Sequence, residues 1–152
     1  MLQIELQNPA EANIPAQDWF ETCAALAYQG EASAEVTLRV VADAEALQLN
    51  RDYRGLDYPT NILSFPNDSS DFPDELMQEA GDYLGDLALC AGVIAKEASE
   101  QQKQAEHHWA HLVIHGMLHL QGYDHEQEDA AAVMEALEVK LLGDLGIPDP
   151  YQ

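Results

Sequence analysis

The chain has 152 residues, 28 of them Asp or Glu against 6 Lys or Arg, for a formal net charge of −22. That length suits one domain with a real core, and no apolar run approaches the span a membrane helix needs. The charge has the wrong sign for a protein that grips a polyanion through a basic face.

Leu2 to Gln7 alternates apolar and polar residues, as a half-buried strand does. Pro15 to Gln29 reads as a helix with Pro15 near its first turn and Gly30 beyond its end. Glu35 to Ala42 is a strand through Val36, Leu38 and Val40, and Asp43 caps a short helix ending around Arg54 and Gly55. Asn61 to Phe65 is a short strand closed by Pro66. Asn67 to Asp82 is a long acidic loop containing Pro73 and Gly81, suited to a mobile flap. Tyr83 to Cys90 is a strand. Ala91 to Gln104 and Ala105 to Gln121 are helices, with a bend or break near Gln104. Asp124 opens the last helix, where Gln127 completes a capping box, and Gly143, Gly146 and Pro148 end it. No repeats occur. The expectation is an α+β fold, one domain over residues 1–152, with a small mixed sheet of about four strands and about five helices.

The N-terminus lacks a basic stretch followed by an apolar run, so no signal peptide is expected and the setting reads as cytoplasmic. Cys23 and Cys90 form no pattern and read as reduced core or boundary residues.

All six histidines fall between His107 and His125. His115 and His119 are four apart, so on a helix they share one face. Both rings can then reach one divalent ion. Gly122 stands where a helix can end in a left-handed turn, and the returning chain can bring His125 to the same ion. Three imidazoles on one side leave a position for water, the catalytic rather than the closed arrangement. His111, His115 and His119 form an alternative set, but three rings along two turns of a straight helix do not converge easily. His111 therefore reads as a group behind the site or a satisfied core histidine. His107 and His108, near the helix start, read as polar surface. Trp109, Leu112, Val113, Ile114, Met117, Leu118 and Leu120 surround the helix with apolar surface and bury it, so its histidines need partners.

The spacing H-x3-H-x2-G-x2-H is zincin-like and matches the metzincin proteases. Those enzymes carry a general-base Glu where this chain has Gly116, which counts against peptide hydrolysis. The full string HGxLHLxGYDH resembles instead the YbeY-type single-strand-specific endoribonucleases, or ribosomal RNA maturation factors. Tyr53-Arg54-Gly55 and the run Pro59 to Pro66 resemble that family's YRG and PTNVLSFP elements, with Ile62 for Val. Leu84 to Cys90 is similar to its LGDI strand, and Ala110-His111 to its lead into the metal helix. The likeness runs from about Leu47 to the C-terminus. It implies one Zn²⁺, or another ion such as Ni²⁺, on His115, His119 and His125. It also implies Arg54 and His115 as catalytic residues and single-stranded RNA, above all ribosomal RNA precursors, as substrate. The family's setting is small-subunit 16S 3′-end processing and ribosome quality control, with the small subunit or its proteins as partners. No membrane and no nucleotide cofactor are implied.

In that reading the ion lowers the pKa of a water toward about 7, and Arg54 pairs with phosphate oxygens as charge develops. A plainer role for Arg54 is a cation facing the helix dipole. Asp86, His111 and Asp124 are candidates for proton transfer or for orienting the ligands, although the capping box explains Asp124 without chemistry. Arg39, Arg51 and Arg54 could keep one face positive while the acidic residues gather elsewhere. The acidic bias also fits solubility or a salty cytoplasm, in which case RNA affinity is weak without a partner. A metalloprotease or other metal hydrolase is one alternative, with Tyr83 to Cys90 as a peptide-pairing edge. A non-catalytic ribosome-assembly protein with a structural metal is another.

Overall fold

A computed structural model of the chain describes residues 2–9, 11–67, 82–123 and 127–151. Four strands, β1 (Leu2–Gln7), β2 (Ala34–Val41), β3 (Ile62–Pro66) and β4 (Asp82–Cys90), form one sheet in the order β1-β2-β4-β3. β1 and β4 flank β2 in parallel, while β3 pairs antiparallel with β4. The sheet is therefore mixed, and β3 lies at its edge. The terminal Pro66 of β3 sits where a missing ladder donor is tolerated.

Five helices occur among the described residues: α1 (Gln17–Ala27), α2 (Asp43–Arg54), α3 (Ala91–Glu100), α4 (Ala105–Leu120) and α5 (Glu128–Asp144). Strand alternation divides the packing. Val36, Leu38 and Val40 of β2, with Leu87 and Leu89 of β4, meet Phe20 of α1 and Ile114, Met117 and Leu118 of α4 in the larger core. The opposite face gives Val41, Leu63, Ala88 and Cys90 to a smaller core with Ala46 of α2. Burial pushes the thiol of Cys23 up to about 12 and that of Cys90 up to about 11. Both are free and buried, in keeping with the sequence reading of reduced core residues. No helix among the described residues is long and apolar enough to cross a membrane.

Several boundaries move. The break expected near Gln104 occurs earlier. Gln102 takes a positive φ of 56°, and the Lys103 N–H reaches back to the Ala98 carbonyl at 2.9 Å. The last helix begins at Glu128 rather than Asp124, with Gln127 flanking its start and making no side-chain cap. Two acidic residues in its first turn, Glu128 and Asp129, suit the helix dipole instead. Asp43 is the first residue of α2 rather than its cap. The expected acidic flap, apart from Asn67 and Asp82, lies outside the described residues, as do Asp124 and His125.

Candidate metal centre and cleft

α4 is buried nearly all round, as its sequence predicts. It passes close to the sheet because residue 116 has no side chain. A Cβ there would stand 2.7 Å from Ile62 Cδ1 and 2.8 Å from Leu87 Cδ2. The position occupied by Glu in metzincins is thus directed at β3 and β4 here. This close approach sets His115 and His119 beside the edge strand.

The two imidazoles face one another, with Nε2 atoms 3.0 Å apart and ring planes 82° from parallel. Their outer nitrogens are committed. His119 Nδ1 is 3.1 Å from the carbonyl of Tyr123, which can only accept, so Nδ1 donates. The turn that ends α4 delivers that carbonyl. Gly122 has φ 99°, and the N–H groups of Gly122 and Tyr123 bond the carbonyls of His119 and Leu118 at 3.0 and 3.1 Å. His115 Nδ1 donates to Glu138 Oε1 on α5.

Glu138 is fully buried. Burial alone would raise its pKa, but hydrogen bonds from His111, His115 and Tyr151 prevail and hold it down at about 2. The ionised carboxylate also accepts from the Tyr151 hydroxyl, which in turn accepts from His111 Nε2 at 3.2 Å. With both Nδ1 atoms donating, neutral rings would oppose two Nε2 lone pairs at 3.0 Å. Two imidazole lone pairs aimed into one space are the arrangement that suits a shared metal ion. The donor set fits a borderline metal. Each ring is oriented by an acceptor behind it, and one of those acceptors carries a full charge. Among the described residues no group of three potential ligands assembles. The expected third ligand, His125, lies outside them.

Arg54 closes α2, where Gly55 turns the chain with φ 70°. Fully buried Asn50 ties that turn down by donating to the Tyr58 carbonyl at 2.8 Å. Arg54 and the two histidines line one cleft of about 620 Å³, together with Tyr53, Asn61, Ser64 and Phe65. The cleft runs along β3, whose outer edge carries no partner strand among the described residues.

The other sequence candidates divide. His111 stands behind the site, 3.5 Å from Glu138 Oε2. Asp86 does not join it. Leu87 faces α4, so Asp86 is on the opposite face, bonded to the Tyr83 hydroxyl and absent from the cleft lining. The positive face expected from three arginines does not form either. Arg39 pairs with Glu45 and Arg51 with Asp57, leaving Arg54 without an ion pair among the described residues. His108 is not surface. It is 4 % exposed and lies 2.9 Å from Glu97 Oε1, which also accepts from Asn61 of the cleft wall at 3.0 Å. Sequence reasoning missed Glu138. The clue was present, because Met134, Glu138, Leu141 and Leu142 form one buried stripe of α5. A carboxylate in an apolar stripe demands a partner.

Residues 3–146 match the family model described as Endoribonuclease YbeY. A protein of that name from Pseudomonas fluorescens is 49% identical, over 99% of this chain and 97% of its own. One from Pseudomonas entomophila is 50% identical, over 99% and 94%. One from Halorhodospira halophila is 47% identical, over 99% and 97%. The solution structure of TM1509 from Thermotoga maritima shares the fold, with TM-score 0.57 at 24% identity, over 96% of this chain and 92% of that one. The match therefore also covers the residues before Leu47, where the sequence motifs show no likeness to the family.

Proposed function

This chain belongs to the YbeY endoribonuclease family, and on that premise we propose that it is a metal-dependent endoribonuclease of single-stranded RNA. Its proposed setting is ribosomal RNA maturation in the cytoplasm, including 16S 3′-end processing and ribosome quality control at the small subunit. The observation that carries the reading is the shared cleft. The guanidinium of Arg54 and the imidazoles of His115 and His119 line the same cavity. Zn²⁺, or a similar ion such as Ni²⁺, would be held by His115, His119 and His125. When bound, the ion supplies the Lewis acidity that makes water reactive near neutral pH.

The protein's own residues do the rest. Glu138 fixes the tautomer of His115 and strengthens its Nε2 as a donor to metal. The Tyr123 carbonyl does the same for His119, without a charge. Arg54 pairs with the non-bridging oxygens of a phosphodiester, where charge builds as the P–O bond breaks. The acidic total charge favours a second reading, an assembly protein that docks a basic partner and cuts nothing.

Purified protein incubated with unstructured RNA separates the two. Cleavage that is abolished by a chelator, restored by zinc, and lowered about 10²–10³-fold by Arg54→Ala at unchanged metal content supports the nuclease. RNA left intact at full metal occupancy overturns it. Metal analysis of the protein as purified identifies the ion.

A further inference from the structure

Tyr53 is the most exposed large aromatic side chain among the described residues, with 68 % of its surface open. It is not adrift. Its ring packs perpendicular to Phe65 of β3, centroids 5.0 Å apart, at the end of a helix anchored through Asn50. Tyr53 lines the same cleft as Arg54, its chain neighbour, and as the histidine pair. Held in place, left open and set beside Arg54 in the cleft, the ring offers a flat face on which a ligand there can stack.

The electrostatics say which ligand part it takes. The chain carries −22, and two of its three arginines are already paired with carboxylates. Arg54 is the one Lys or Arg among the described residues lining the cleft, so phosphate contacts there are few and a non-ionic contact would add to them. Bases have flat π faces that stack on aromatic side chains irrespective of sequence.

We propose that Tyr53 is a stacking platform for one unpaired base, with Arg54 beside it on a phosphate of the same strand. The proposal rests on the nuclease reading and deepens it. In a duplex both faces of each base are covered by neighbours, so only a single strand can offer a base to Tyr53. Strand selectivity would then come from this ring rather than from a basic groove, and binding would depend weakly on salt. One or two phosphate contacts correspond to a slope of about −0.7 to −1.4 in log affinity against log salt.

The test is fluorescence anisotropy on the protein as purified, at low temperature, with gels confirming that the RNA stays whole. The probes are an oligoadenylate of about ten nucleotides and the same ribose–phosphate chain with abasic residues. Tyr53→Leu is expected to weaken oligoadenylate binding by roughly 5- to 150-fold. Tyr53→Phe, which keeps the ring, should bring it back to within a few-fold of wild type. The abasic chain should bind wild type and Tyr53→Leu alike. Equal losses on both probes, or none on either, overturn the platform while leaving cleavage intact. A wild-type protein that binds neither probe also overturns the platform, and the cleavage assay then decides the nuclease reading by itself.

Discussion

Replacing Glu138 separates two things that one buried carboxylate does. In Glu138→Gln the amide oxygen still accepts from His115 Nδ1, and the amide nitrogen can donate to the Tyr151 oxygen once that hydroxyl turns. The side chain keeps its volume and its bonds to His115 and Tyr151 but no longer accepts from His111, so folding should lose about 1–3 kcal/mol. The charge behind His115 is gone, however. Loss of such a supporting group typically weakens metal binding 10- to 100-fold. In Glu138→Ala a fully buried side chain vanishes, and His111, His115 and Tyr151 lose their shared acceptor. Emptying that network should cost about 3–5 kcal/mol. For a chain of this size this lowers Tm by roughly 6–20 °C. Thermal unfolding of the metal-free proteins and competition for zinc against a calibrated chelator measure the two effects. Wild-type zinc affinity in Glu138→Gln would refute the assignment of Glu138 to the ion. Equal destabilisation by Gln and Ala would refute the hydrogen-bond bookkeeping.

Gly122→Ala tests the turn that aims His119. Nothing among the described residues crowds a Cβ there, so the expected cost is that of φ 99°. About 1–2 kcal/mol, or a Tm lower by roughly 2–8 °C, is expected, with a weaker zinc affinity as the Tyr123 carbonyl shifts. An unchanged Tm contradicts the strained backbone. His108 supplies a pH signature. Burial lowers its pKa below the ordinary 6.5, against the pull of Glu97. The unfolded chain therefore binds this proton more readily than the folded one. Its contribution is fully present above about 6.5 and is lost as pH falls through the folded value. Metal-free His108→Gln should show a flatter loss of stability than wild type between about pH 6.5 and 5. Parallel curves would mean that His108 does not titrate on unfolding.

Much of the architecture was legible from spacing. Alternation in β1 and β2, the apolar circumference of α4 and the stop at Gly122 each follow from local geometry, which neighbouring residues decide. The His115–His119 pair belongs to the same class, because a helix places residues four apart on one side whatever surrounds it. The errors share a cause. His108 looked like surface because it stands near a helix start, but Glu97, from a helix that precedes it in the chain, buries and bonds it. Asp86 looked available for catalysis, but strand parity turned it away from α4.

The amino-acid order by itself determined the elements, the facing histidines and the family, because periodicity and short motifs are local properties of a chain. Which groups meet was decided only by tertiary structure. Glu138 reaches His115 across 23 positions of sequence, and Arg54 shares a cleft with the histidines only because β3 runs along it. Such meetings depend on how helices cross a sheet, and that information is spread over the whole core rather than written at the residues that meet.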